Sequence, residues 1–295
     1  IAFLWRYRRY LGRAGSLIAA FLSLISPFML YYGRYARNEA FVALFGTIML
    51  WAILRYLESG ESRYLYWLTV ATVLHFTAKE TAYIYTAQAL VFLGLLFIAK
   101  VLKSPWAFSN YRKGFLGALA LGVLLMLGAV VFHVSKGKQA TLSATETVAP
   151  AVPGQGTTEA GAAFHLTPAV LLLVLALIAL LGAAYFLLRG YTSGRLRNER
   201  SFDLLILLGT LVLPMLAPFP VKFMGWNPID YSSQGMLRTA IFLIPLALLA
   251  VGIGIWWNAR LWTYNALVFY AIYTVFYTTL FTNGAGLFTG LVGSL

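Results

Sequence analysis

PAVLLLVLALIALLGAAYFLL, Pro168 to Leu188, runs without a charged residue until Arg189. An apolar run of about 20 residues matches the thickness of a bilayer's hydrocarbon core when wound as an α-helix. Similar runs recur along the chain. Expected spans lie at Ala14–Tyr32, Glu39–Leu57, Tyr64–Ala78, Thr81–Ala99, Gly114–Val134, Pro168–Leu188, Phe202–Phe219, Met236–Trp256 and Trp262–Phe281. The fold class expected is therefore all-α: a polytopic transmembrane bundle of about nine spans in a single domain over residues 1–295. Composition agrees. Of 295 residues, 61% are hydrophobic and 11% charged, against about 25% charged in soluble domains. Mean hydropathy is +0.79. Aromatics gather near the span ends, as at Tyr31–Tyr32, Tyr64–Trp67 and Trp256–Trp257, where amphipathic rings favour the interface.

The absence of cysteine excludes disulfides, thiolate metal sites and cysteine nucleophiles. A formal charge of +13 suggests nucleic acid in a soluble protein. Here the basic residues sit in short loops between apolar runs, which is how membrane topology is encoded, so no nucleic-acid partner is expected. With the chain's N-terminal end in the cytoplasm, 15 of the 22 Lys and Arg face the cytoplasm and 7 face away. The positive-inside rule selects that orientation. One segment differs in kind: Ser135–Thr167, rich in Ala, Thr, Gly and Pro, reads as a flexible external loop.

Three clusters fall on the non-cytoplasmic side. In SPFMLYYGRYARNEAF (Ser26–Phe41), helical spacing puts Arg34, Arg37 and Asn38 within one turn, and Glu39 opens the next span. Two guanidiniums beside a carboxylate can hold a phosphate, leaving the carboxylate for a metal or a hydroxyl. The same residues also suit an interfacial Arg–Glu network that only anchors helix ends. In HFTAKETAYIY (His75–Tyr85), His75, Lys79 and Tyr83 recur every four residues, so a continuous helix stacks them on one face. Lys79 can serve as a point charge for a lipid-carrier phosphate, or snorkel to the headgroups and pair with Glu80. His75 is expected to be packed and hydrogen-bonded, and His133 and His165, which lack metal-ligand spacing, to be structural. The third cluster, KFMGWNPIDYSSQGMLR (Lys222–Arg238), offers Trp226, Asn227 and Asp230. Such side chains suit a sugar, and equally an interfacial turn around Asn227–Pro228.

The order of SPFMLYYGRYARNEAF, the short turn RYLESGESR and then LHFTAKETAYIY resembles the GT-C superfamily of membrane glycosyltransferases. The likeness is nearest to the flippase-activity-associated and archaeal-glycosylation-like mannosyltransferases, with protein O-mannosyltransferases and aminoarabinose transferases as more distant relatives. YTVFYTTLFTNGAGLFTGLVGSL at the C-terminal end is similar to the archaeal-glycosylation-like group. The resemblance implies transfer of a sugar from a polyprenyl-phosphate donor to an acceptor on the non-cytoplasmic face of a prokaryotic cytoplasmic membrane. It implies Glu39, in RYARNE, as the catalytic carboxylate of the second acidic motif and as a ligand for a divalent Mg or Mn ion, with no other cofactor. It also implies Lys79, in AKE, near the lipid phosphate. Arg34, Arg37, Glu80 and Tyr83 complete the expected donor-binding set, with Trp226, Asn227 and Asp230 as sugar contacts. The first carboxylate in the chain is Glu39. The first acidic motif of the GT-C design, with its span, is therefore expected upstream of Ile1. Two other roles fit the same cations: an accessory subunit of a lipid-linked-sugar flippase, or a non-catalytic structural subunit of a larger membrane complex.

The orientation is open to direct measurement, because the chain offers no cysteine background. Single cysteines placed in Ser135–Thr167 are expected to react with an impermeant maleimide on intact cells, and those in Arg189–Arg200 to be protected. The reverse pattern inverts the topology.

Overall fold

α-Helix dominates the computed structural model, which describes residues 2–34, 38–106, 108–146, 168–191, 193–284, 286, 289 and 290. Among these residues no strand forms. The helices are α1 (Ala2–Arg6), α2 (Arg8–Ile25), α3 (Pro27–Arg34), α4 (Glu39–Ser59), α5 (Arg63–Ala78), α6 (Ala82–Lys103), α7 (Ser109–Glu146), α8 (Pro168–Tyr191), α9 (Ser193–Leu196), α10 (Arg200–Val212), α11 (Pro218–Phe223) and α12 (Ser233–Tyr277). A 3₁₀ turn, Leu213–Leu216, follows α10. The chain divides into two compact units, one of residues 1–100, 197–218 and 229–295, the other of residues 101–196 and 219–228.

Among the described residues, five helices are long and apolar enough to cross a membrane: α4, α6, Ser109–Phe132 of α7, Val170–Tyr191 of α8, and α12. The expectation of nine spans is not confirmed by this count, and where helix bounds differ from the expected spans the cause is local. The last two expected spans, Met236–Trp256 and Trp262–Phe281, both fall largely in α12, whose helical geometry breaks between them at Asn258. The first expected span is interrupted at Ser26, where Pro27 starts a new helix. The seventh is broken by Pro214 in the 3₁₀ turn and by Pro218 at the start of α11. The third, α5, has 16 residues because glycine ends the helix before it and the backbone turns extended at Lys79. The segment read as a loop from Ser135 also changes: α7 continues through Glu146. Its Lys, Gln, Leu and Ala residues are good helix formers, and no proline occurs before Pro150. Residues 147–167 of that segment, with His165, lie outside the described residues, as does the side chain of His133.

In the first unit α5 is the central element. Leu65, Leu68, Thr69, Thr72, Val73, His75 and Phe76 are buried, against α4, α10 and α12. A helix enclosed by other helices has little lipid to meet, so its polar side chains must bond within the protein. Thr69 donates to Asn265 Oδ1 at 2.7 Å. Trp262 Nε1 donates to Thr210 Oγ1 at 2.8 Å, and Tyr277 donates to the Phe76 carbonyl at 3.0 Å. Asp203 on α10 accepts from Tyr56 at 2.6 Å and from Trp257 Nε1 at 2.7 Å, joining α4, α10 and α12. Close approach is built in at Gly254, where a Cβ would lie 2.2 Å from the Trp262 ring.

The turn between α4 and α5 is closed by Gly60, whose φ of 71° is left-handed and whose N–H bonds the Tyr56 carbonyl at 2.8 Å. Arg200 donates to the Leu57 carbonyl at 2.9 Å and also to that of Glu58, covering acceptors that the end of α4 leaves open. Glu58 in turn pairs with Arg55 at 2.9 Å and Arg9 at 3.3 Å.

In the second unit α7 packs on α8. Tyr191 donates to Ser104 Oγ at 3.2 Å, Trp106 Nε1 to the Val101 carbonyl at 2.9 Å, and Arg195 to the Pro105 carbonyl at 2.9 Å. The Tyr191 and Arg195 bonds tie the chain before α7 to the end of α8 and the chain that follows it.

The Asp203 junction makes a stability prediction. Asp203→Leu strands the Tyr56 and Trp257 donors, and a buried donor left unbonded costs about 1–3 kcal/mol. The variant is expected to lose at least about 2 kcal/mol in thermal or denaturant unfolding in lipid nanodiscs, and Asp203→Asn distinctly less, because the amide keeps one acceptor. Equal stability of the leucine variant and the wild type contradicts the junction.

Candidate functional site

Two helix ends meet at one polar point in the first unit. α4 begins at Glu39, where the positive end of the helix dipole favours a carboxylate. α5 ends at Ala78, Lys79 is extended (φ −164°, ψ 148°), and α6 begins at Ala82. Lys79 thereby leaves the helix, although its N–H still bonds the His75 carbonyl at 3.1 Å. The expected stack of His75, Lys79 and Tyr83 on one helical face is not formed: the three sit on α5, on the turn and on α6. Leaving the helix frees the Lys79 side chain to reach α4. Its Nζ lies 2.8 Å from Glu39 Oε1.

The pair is partly wet, with Lys79 35% and Glu39 17% exposed. It borders a cavity of about 340 Å³ lined by Asn38, Glu39, Ala78, Lys79 and Glu80. The salt partner of Lys79 is thus Glu39 across helices instead of the neighbouring Glu80, whose carboxylate lines the same cavity. A cation anchored by a carboxylate at the edge of a polar cavity can hold an anionic headgroup.

Other expected site residues fall as follows. Tyr83 sits edge-on to Phe76, with ring centroids 4.8 Å apart, and donates to the Met215 carbonyl at 3.3 Å. Arg37 and the side chain of Arg34 lie outside the described residues. Trp226 and Asn227 belong to the second unit, and Asp230 to the first. Asp230 accepts from the Ser232 N–H at 3.0 Å, and Ser232 caps α12 by accepting from Gly235 N–H at 3.2 Å. The Ser232 hydroxyl and N–H hold the Asp230 carboxyl below the usual carboxylate range. His75 is buried as expected but lacks the expected hydrogen bond: neither ring nitrogen has a partner among the described residues. Its ring rests on Tyr85, with centroids 4.7 Å apart.

A divalent metal at Glu39 fits these residues poorly. One Glu39 oxygen already faces an ammonium, and no trio of His, Asp or Glu converges among the described residues. No step below runs through a metal.

Sequence reading missed the C-terminal contribution. Tyr277, Asn283 and Thr289 line a second cavity with Lys79 and Glu80, although none of the three stands among the expected site residues. The TNGAG run, with its turn-forming residues, was the available signal.

Residues 1–127 match the family model of dolichyl-phosphate-mannose-protein mannosyltransferases. The matched stretch contains α4, the Lys79–Glu80 turn and α6. It supports a GT-C-type, mannosyltransferase-like family. With five apolar helices, it points to an integral membrane protein. No curated protein and no solved structure matches the chain.

The ion pair can be measured by a double-mutant cycle. Glu39→Gln, Lys79→Met and the double variant are expected to show a coupling of about 0.5–1 kcal/mol in unfolding free energy, the size for a partly exposed pair. Zero coupling places the two groups apart in solution.

Proposed function

We propose that the protein is a membrane glycosyltransferase that moves a sugar from a polyprenyl-phosphate donor to an acceptor hydroxyl. The observation that carries this is the 2.8 Å Lys79–Glu39 pair at the edge of a polar cavity, within the stretch that matches a mannosyltransferase family model. In such a transfer the acceptor oxygen bonds to the anomeric carbon and gives up its proton, which ends on the released phosphate or on water, while the bond from that carbon to the phosphate oxygen breaks. Charge collects on the departing phosphate, and a preorganised cation stabilises it most where water is scarce. Lys79 takes that role. Glu39 holds the ammonium in place, so that little reorganisation is needed as charge develops. Arg34 and Arg37, just before α4 in sequence, supply further positive charge. The charge bias of the loops supports a cavity on the non-cytoplasmic face, and the resemblance to bacterial and archaeal GT-C proteins supports a prokaryotic cytoplasmic membrane.

Transfer of mannose from polyprenyl-phosphate mannose by the full-length protein in lipid vesicles tests this. Lys79→Ala and Glu39→Gln are each expected to lower kcat/KM at least about tenfold, equivalent to about 1.4 kcal/mol in the barrier. The lysine change acts mainly through KM for the donor and the glutamate change mainly through kcat. Donor binding without transfer by the wild type overturns the enzyme and favours a flippase-accessory subunit. Variants as active as the wild type remove the site.

A further inference from the structure

The Lys79–Glu80 turn borders two cavities. The second, about 380 Å³, shares Ala78, Lys79 and Glu80 with the first and adds Thr77, Tyr277, Asn283 and Thr289. All of these residues belong to the first unit.

Its wall is made at a cost in backbone strain. After α12 ends, Thr279, Leu280 and Phe281 all take left-handed backbone angles, with φ of 51°, 57° and 68°. Each such non-glycine residue is disfavoured by about 1–2 kcal/mol. The turn brings the chain back onto Tyr277 so closely that only glycine fits. A Cβ on Gly286 would lie 1.9 Å from the Tyr277 carbonyl oxygen, and one on Gly290 would lie 1.9 Å from the Tyr277 ring. Tyr277 is itself fixed, stacked on Tyr273 at 4.3 Å and bonded to the Phe76 carbonyl at 3.0 Å. Strain held in place by its surroundings marks functional sites more often than idle turns.

The chemistry of this wall differs from that of the first cavity. Apart from the shared pair Lys79 and Glu80, its polar groups are neutral: two threonine hydroxyls, one amide and a tyrosine. Hydroxyls and amides bond sugar hydroxyls, a carboxylate accepts from them strongly, and an aromatic face covers apolar C–H groups.

We propose that this second cavity is the acceptor subsite and takes a neutral, hydroxyl-bearing compound of the glycoside class, with Glu80 accepting the hydrogen bond of one hydroxyl. The acceptor role rests on the glycosyltransferase function proposed above. The shared turn then sets donor phosphate and acceptor hydroxyl side by side, with the cation toward one and a carboxylate available to the other.

The cysteine-free chain allows a direct test. Full-length Thr289→Cys and Asn38→Cys variants, each in lipid nanodiscs free of sugar detergents, are labelled with a water-soluble maleimide. Methyl α-mannoside near its solubility limit is expected to slow labelling of the Thr289→Cys thiol at least threefold and to leave the Asn38→Cys thiol unchanged. Mannose 1-phosphate is expected to slow the Asn38→Cys thiol. Adding Asn283→Ala or Glu80→Ala to Thr289→Cys should abolish the protection by the methyl glycoside, with the thermal midpoint reporting that the fold is kept. Absence of protection at position 289 overturns the subsite, even where mannose 1-phosphate still protects position 38. Protection of position 289 by inorganic phosphate in place of the glycoside also overturns it. Protection by the glycoside at 289 with no effect of mannose 1-phosphate at 38 upholds a glycoside site and removes the donor reading of the first cavity.

Discussion

Enclosure of most of α5 by α4, α10 and α12 governs the first unit, because polar groups shielded from lipid headgroups and water are costly unless they find partners inside the protein. Thr69 finds Asn265, and the Phe76 carbonyl receives Tyr277. Each bond fixes α12 against α5 at a different height. The short length of α5 follows from the same enclosure. Its ends are set by the turns that Gly60 and Lys79 make, not by the thickness of a bilayer. Where α5 stops, Lys79 emerges at the start of α4 and meets Glu39. The site is thus a consequence of where a buried helix ends.

The two ends of α5 are handled differently. At the Gly60 end, Arg200 covers the open Leu57 and Glu58 carbonyls, and the Arg9–Glu58 ion pair ties α4 to α2. At the Lys79 end, charge is left partly exposed beside two cavities, and the strained turn at Thr279–Phe281 supplies a wall. Stability is favoured at one end and access at the other, as expected where a rigid scaffold presents a site.

Much of this was legible in the residues. Apolar runs mark the helices, since 3.6-residue winding and bilayer thickness act on local sequence alone. The LHFTAKETAYIY string marked the α5–α6 turn and its exposed lysine, and RYARNE marked the acidic start of α4. Hydropathy does not distinguish a segment facing lipid from one buried among other helices, so apolar runs alone do not count the spans. It also passed over Pro27, Pro214 and Pro218, which divide apolar runs into shorter helices. The reading of Ser135 onward as loop gave weight to composition over the helix formers within it.

Sequence by itself determined a helical, membrane-type chain, the turn at Lys79–Glu80 and the carboxylate at the head of α4, because each depends on neighbours within a few residues. Only the tertiary structure decided that Lys79 bonds Glu39, forty positions away, instead of the adjacent Glu80. Only it brought Tyr277, Asn283 and Thr289 to the same turn, some two hundred positions along the chain from Phe76, whose carbonyl receives the Tyr277 hydroxyl. Periodicity specifies which face of a helix is apolar, but the partner of a charged or polar group is chosen by packing between helices. That choice depends on side-chain volumes, on glycines such as Gly254 and Gly290 that admit a ring, and on where each helix ends.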